Sequence, residues 1–261
     1  MKIIVCIKQV PLIGYMAVDE KSGTLIRSGG VMNPCDSHAL AAALFIKNRL
    51  GGSDAEITAL SMGAPAAANI LKEALAIGAD KGVLISGGEF RGSDVYATAY
   101  ALAQAVGRLG GADLILCGRQ TADGDTGQVP FSLAAQLGIP VVGWVKKIEV
   151  KPDGRLYFTQ ELSGVSAEVK ARFPMVAAVS EQAAPRAAAS LKGFLKAAES
   201  KISVFGVSDF SDASAEHYGF VASPTKVKKI RALIYGAKSA PIVEPPEKSA
   251  ERIAAAVKKF L

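Results

Sequence analysis

The residues whose types and spacing carry the most chemistry run from Cys117 to Val129, Cys-Gly-Arg-Gln-Thr-Ala-Asp-Gly-Asp-Thr-Gly-Gln-Val, between an apolar run that begins at Leu114 and a helix-like pattern that reaches Leu137. Gly118, Gly124 and Gly127 let backbone N–H groups approach a ligand closely, and a helix starting after them presents its positive dipole end to an anion. The chemistry this suggests is phosphate gripping. Asp123 and Asp125 oppose it by repulsion unless they cap the helix or accept hydrogen bonds from ligand hydroxyls. The spacing is neither a P-loop nor a GxGxxG fingerprint, so a plain connection capped by Asp125 or Thr126 stands beside the nucleotide reading.

Other candidates are sparse. Asp36, in Asn33-Pro34-Cys35-Asp36, reads as the N-cap of the helix that follows. His38 and His217 stand apart from any cluster at metal-ligand spacing and read as ordinary histidines. Cys6 and Cys117 end apolar runs, where cysteine packs more often than it reacts. With Cys35 they form an odd set without a CxxC, which argues against a disulfide framework or zinc site and fits a reducing cytosol. No GxSxG elbow or Ser/His/Asp order occurs, so no catalytic side chains are expected and redox chemistry would fall to a cofactor. Leu191, Phe194 and Leu195 make an apolar knob rimmed by Lys192, Lys196 and Lys201. It reads either as a docking anchor or as packing on the chain's own sheet.

These residues need a scaffold that brings strand ends and loops together. In 261 residues, 50% hydrophobic but only 7% aromatic, the core must be built from Ala, Val, Ile and Leu, which suits an α/β protein with close helix packing. Ile3 to Ile7 is a continuous apolar run, the pattern of a central parallel strand. Val18 to Gly30 reads as a small hairpin turning at Asp19–Gly23. A helix over 38–47 ends at Gly51-Gly52. Strand 56–60, helix 66–77, strand 82–86, helix 93–109 and strand 113–117 then alternate at βαβ spacing, which gives a parallel sheet with right-handed crossovers. Ligands of such sheets lie beyond the carboxyl ends of the strands, near the switch in strand order.

Four short segments, 142–150, 155–162, 166–170 and 175–179, read as an antiparallel meander extending the sheet. From Ala184 the regularity fades into a Lys/Ala segment and a long tail with scattered apolar anchors, closed by an amphipathic helix over about 247–260. Anchors without a core of their own favour wrapping around another subunit. The expected organisation is a nucleotide-binding α/β domain over 1–183, a recognition segment over 184–205 and a carboxyl-terminal arm over 206–261. The net charge of +6 suits an acidic partner or a nucleotide. Without an Arg-rich run interleaved with aromatics, nucleic acid is not expected. No stretch of about 18 uncharged apolar residues occurs, so a soluble, cytoplasmic protein without a membrane span is expected.

Several stretches in register resemble the β subunit of electron transfer flavoproteins: Lys8 to Pro11 (Lys-Gln-Val-Pro), Met32 to Asp36 (Met-Asn-Pro-Cys-Asp), Ala76 to Asp80 (Ala-Ile-Gly-Ala-Asp), Cys117 to Val129, Ser190 to Ala197 (Ser-Leu-Lys-Gly-Phe-Leu-Lys-Ala) and Ala222 to Thr225 (Ala-Ser-Pro-Thr). The resemblance covers nearly the whole chain. It implies a Rossmann-like, mostly parallel sheet with helices on both faces, an antiparallel extension and an extended carboxyl-terminal arm whose terminal helix packs on an α subunit. In that family one FAD lies at the interface, mainly on the α subunit. The β subunit holds a second nucleotide, AMP in housekeeping members and a second FAD in electron-bifurcating members.

By resemblance, the second nucleotide contacts Cys6, Asn33, Met62, Asp123, Thr126, Gly127, Gln128 and Val129. The form Gly-Arg-Gln-x-x-Asp-Gly-Asp-Thr-x-Gln-Val is closer to the bifurcating type, which implies FAD, hydride acceptance from NADH and electron delivery to an acyl-CoA dehydrogenase-type flavoenzyme and to ferredoxin or flavodoxin. AMP in a housekeeping subunit is the alternative. Two departures stand out: Val129 is followed by Pro130-Phe131 where the bifurcating pattern continues Gly-Pro, and Pro185-Arg186-Ala187 replaces Pro-Arg-Tyr. The segment around Leu191 matches the family's recognition loop, whose leucine docks into a dehydrogenase. A non-redox nucleotide-binding signalling module of similar fold is a further alternative, against which the tail and the Leu191 segment argue.

Overall fold

The central strand β1 (Lys2–Cys6) is apolar along its length and buried on both faces beyond its first residue, as its uninterrupted Ile-Ile-Val-Cys run requires. The computed structural model describes residues 1–12, 16–18, 25–27, 30–227 and 241–260, and the turn expected at Asp19–Gly23 lies outside the described residues. After β1 come β2 (Gln9–Pro11), β3 (Met16–Val18), β4 (Leu25–Arg27), β5 (Gly30–Met32), α1 (Pro34–Arg49), β6 (Glu56–Met62), α2 (Ala68–Ile77), β7 (Lys81–Ile85), α3 (Val95–Arg108), β8 (Leu114–Gly118), α4 (Val129–Leu137) and β9 (Val141–Val150). The chain continues through β10 (Leu156–Leu162), β11 (Val165–Lys170), β12 (Met175–Val179), α5 (Leu191–Glu199), β13 (Ser203–Phe205), α6 (Gly219–Ala222) and α7 (Pro246–Val257). Two separate antiparallel pairs, β2 with β5 and β3 with β4, lie between β1 and α1.

Nine strands form one sheet in the order β11-β10-β9-β12-β8-β1-β6-β7-β13. The chain moves outward from β1 to β6 and β7, then returns to β8 on the other side of β1. With right-handed crossovers, that reversal sends the helices to opposite faces. One core layer joins α1, α2 and the inner side of β9 and β10; the other joins α3 and α4. The switch in strand order therefore falls between β1 and β8, whose Cys6 and Cys117 are register partners. This is the α/β, mostly parallel fold expected from the alternation of elements.

Three details differ from the sequence reading. The segment 175–179 is not the last strand of a meander: β12 lies parallel between β8 and β9, and only β9, β10 and β11 form antiparallel neighbours. Met-Val-Ala-Ala-Val is buried at every position, the mark of a central strand. The Lys/Ala segment folds into α5, packed on α2. The stretch after it has a core after all: β13 pairs with β7, and Phe210 and Tyr218 are buried with Phe90. Phe90 meets the Tyr218 ring edge-on at 5.4 Å, an arrangement favoured by the ring quadrupoles. Residues 1–228 form one compact unit and 229–261 a second. At the end of the first, Thr225 donates from its N–H and its hydroxyl to Asp94, which also caps α3 through the Ala97 N–H. Within the second, Arg252 holds Glu244 by two bonds of 2.8 and 2.9 Å, and Ile253, Val257 and Phe260 are exposed.

Candidate functional site

At the carboxyl ends of β1 and β8, two polar side chains from separate segments, Asn33 and Lys8, clasp the loop 119–128. Asn33 occupies the N-cap position of α1, but its amide caps no helix N–H. It reaches across to the loop, donating to the Gln120 carbonyl at 2.9 Å and accepting from the Ala122 N–H at 3.1 Å. Lys8, just past β1, places its ammonium 2.7 Å from Asp123 Oδ1. That pairing answers the charge problem raised by the sequence, because Asp123 meets a cation before it meets a phosphate. Asp125, at φ +52, donates its N–H to the Thr121 carbonyl and turns the chain back.

Asp36 corrects the expectation of a simple cap. It sits in the first turn of α1, not at the N-cap, and is buried. Its Oδ2 accepts the Lys8 backbone N–H at 2.8 Å. Gly118 lies so close that a Cβ there would come within 2.3 Å of Asp36 Oδ1. Burial pushes the carboxyl up to about 7, against donation from Asn33, Lys8 and Gly118 and the nearby Lys8 charge. The Cys117 thiol is raised by its hydrogen bond with Cys6, by burial and by the Asp36 charge, and Cys35 is pushed to about 11 by burial and by Glu181. These thiols are packing groups, not thiolate nucleophiles.

The structure brings most of the sequence-derived residues together. Cys6 ends β1, Met62 ends the adjacent β6, Asn33 and Asp123 hold the loop, and Thr126, Gly127, Gln128 and Val129 lead into α4. Thr126 and Gln128 are exposed, and Gly127 takes φ +62. Beside them lies a residue that pattern reading did not single out. Ser61, fully buried next to Met62, has a hydroxyl without a hydrogen-bond partner among the described residues. An orphaned hydroxyl at a strand's carboxyl end fits a site that takes a polar ligand. A hollow of about 200 Å³ opens beside the loop's first residue, lined by Arg119, Trp144, Lys146, Glu161 and Glu181. A larger one, about 400 Å³, lies at Met1, Lys2, Gly110 and Asp113, at the amino ends of the strands and away from the loop.

Leu191 is elsewhere, on α5, and is 77% exposed, with Phe194 and Leu195 also exposed. This excludes packing on the chain's own sheet. Gly193 seats the helix: a Cβ there would lie 2.0 Å from the Ala76 carbonyl at the end of α2. Ser190 caps the first turn through the Gly193 N–H, and Lys72 Nζ donates to the carbonyls of Ala197 and Ser200 at the other end.

A family model described as "Electron transfer flavoprotein domain" matches residues 22–210. The β subunit of electron transfer flavoprotein from Megasphaera elsdenii is 39% identical over 88% of this chain and 87% of its own length. The chain belongs to the electron transfer flavoprotein β-subunit family. The caffeyl-CoA reductase-Etf complex subunit CarD of Acetobacterium woodii is 38% identical over 87% of this chain and 86% of its own length. Protein FixA of Bradyrhizobium diazoefficiens is 36% identical over 97% and 90%. Electron transfer of this β-subunit type is the family's activity. Among the described residues, no helix is long and apolar enough to cross a membrane.

Proposed function

We propose that the chain pairs with an α subunit and carries electrons between an acyl-CoA dehydrogenase-type flavoenzyme and another redox carrier, with a second FAD held at the loop 119–128. The observation that carries this reading is the clasped loop at the switch between β1 and β8. Asn33 and Lys8 fix its shape while Thr126, Gly127 and Gln128 stay open to a ligand. In this reading Gly127, Gln128 and Val129 face phosphates at the start of α4, Asp123 and Thr126 meet hydroxyls, and Cys6, Asn33, Met62 and Ser61 line the strand ends. A flavin bound there supplies hydride acceptance from NADH and electron release toward ferredoxin or flavodoxin. The protein's part is to hold it, shield it from water and set its potential through oriented dipoles.

Support for the FAD type comes from relatives named for reductase complexes: CarD, and the acryloyl-CoA reductase electron transfer subunit gamma of Anaerotignum propionicum, 43% identical over 59% of this chain. Pro130 favours the AMP alternative, because it removes a backbone donor and loop flexibility where a pyrophosphate would lie. The exposed Ile253, Val257 and Phe260 stripe of the second unit is the surface expected to pack on the α subunit. Acid extraction of the purified αβ complex tests the reading. Two FAD per heterodimer are expected; one FAD with one AMP overturns the bifurcating reading, and a flavin-free complex that dithionite does not bleach overturns both.

A further inference from the structure

The loop 119–128 stands between two places that can take the ends of a ligand. In the strand order β9-β12-β8-β1-β6, the ends of β1 and β6 with Cys6 and Met62 lie on one side of it. On the other side, past the end of β12 and against β9, is the hollow of about 200 Å³ that has Arg119 in its wall. It is smaller than most ligand sites, which run to roughly 300–1,000 Å³, so it suits one part of a ligand whose remainder lies in the loop. Trp144 lines it and is 46% exposed at φ +47, a costly backbone for a bulky residue. The indole is held there by its surroundings. β9 carries one residue too many against β12, between Val142 and Val145, and another against β10, between Val145 and Lys147. The Val145 carbonyl accepts both the N–H and the hydroxyl of Ser180 at 2.9 Å. The Phe131 ring, in the first turn of α4, has its centroid 5.8 Å from that of the indole and leaves no room for a Cβ on Gly143, which would sit 2.6 Å from Phe131 Cζ. Bulges recur beside active sites because they re-aim a side chain in this way.

The charges around the indole cancel. Lys146 pairs with Glu161 at 3.0 Å and Arg119 with Glu181 at 3.5 Å, so the hollow does not draw a phosphate. The Arg119 Nε is nevertheless buried without a hydrogen-bond partner among the described residues. A buried donor left over in this way calls for an acceptor. A flat, uncharged ring with acceptor atoms along one edge answers both features. We infer that the hollow is a ring subsite, with Trp144 as the platform on which the flavin ring of the bound FAD stacks and Arg119 as the donor to its polar edge. This subsite rests on the FAD reading proposed above, in which the loop holds the phosphates. Four strand spacings separate β6 from β9, about 19 Å at ~4.8 Å each. FAD has two ring systems and can occupy both ends of the site, its adenine at Cys6 and Met62 and its flavin at Trp144. AMP has one ring system and leaves the hollow empty.

The test is equilibrium dialysis of the αβ complex against FAD and, separately, against AMP, counting the nucleotide bound beyond the FAD of the α subunit. Trp144→Ala is expected to weaken the second FAD by about ten- to hundredfold, the usual loss when a ring is taken off an aromatic platform, and to leave AMP affinity unchanged. Trp144→Phe keeps a ring at the same place and should recover most of the loss. Arg119→Lys keeps the cation facing Glu181 but lacks the buried Nε, and should weaken FAD again without touching AMP. Alanine fits the backbone at 144 poorly, so Trp144→Gly, which accepts a positive φ, serves as the ring-free variant if the alanine chain does not fold. Equal losses for FAD and AMP overturn the flavin subsite, since Trp144 would then shape the loop through Phe131 or stack on adenine. A second FAD that binds as tightly to the ring-free variant also overturns it and leaves the FAD reading standing. A wild-type complex that takes no second FAD overturns both.

Discussion

Gly118 has no room for a side chain, because its neighbour is a buried carboxyl held by backbone donors that cannot move independently of β1. Gly118→Ala must push Asp36 or the strand end aside. It is expected to lower stability by about 1–3 kcal/mol, in the range of overpacked cores, measured as a shift in denaturant midpoint at unchanged slope. The sequence shows Gly118 as part of a Gly-rich turn and Asp36 as an acid near a helix start. It does not show that they touch, since 82 residues separate them and only the return of β8 to the side of β1 brings them together. The pairing of Lys8 with Asp123 is hidden in the same way, the two lying 115 residues apart, although Lys8 itself heads the Lys8 to Pro11 stretch. Ser61 belongs to no local pattern, and its buried hydroxyl shows only in the folded sheet.

At the scale of elements, the alternating strands and helices up to β8 were legible because their hydrophobic periods differ and glycines end the helices. β12 was not, because a short apolar run carries no information about direction or neighbour. Helix α5 was hidden by its composition: a nine-residue Lys/Ala/Gly segment exposes most of its apolar side chains, whereas amphipathic helices ordinarily bury them. Its outward Leu191 carries a direct expectation. Leu191→Ala should slow electron transfer to the partner dehydrogenase by about tenfold or more, as for a central docking anchor, with flavin content and thermal midpoint unchanged. Unaltered stopped-flow kinetics would remove Leu191 from the docking surface.

For the molecule as a whole, the carboxyl-terminal part of the first unit belongs to the main fold. Phe210 and Tyr218 close one core layer with Phe90, and β13 extends the sheet. The sequence suggested an arm because those aromatics are widely spaced and lack a period. Phe210→Ala is expected to cost about 3–5 kcal/mol, the usual loss for a buried aromatic, and to show in chemical denaturation of the whole chain. An unchanged midpoint would mean that this stretch is peripheral. The way α5 is mounted has a consequence for how the family can diversify. Its position depends on the Gly193 backbone, the Ser190 cap and the Lys72 ammonium, and not on the exposed side chains of Leu191, Phe194 and Leu195. The residues at 191, 194 and 195 are therefore expected to serve as a replaceable address label: exchanging them should change which partner binds, read as a change in partner affinity, while the denaturation midpoint of the chain stays where it was.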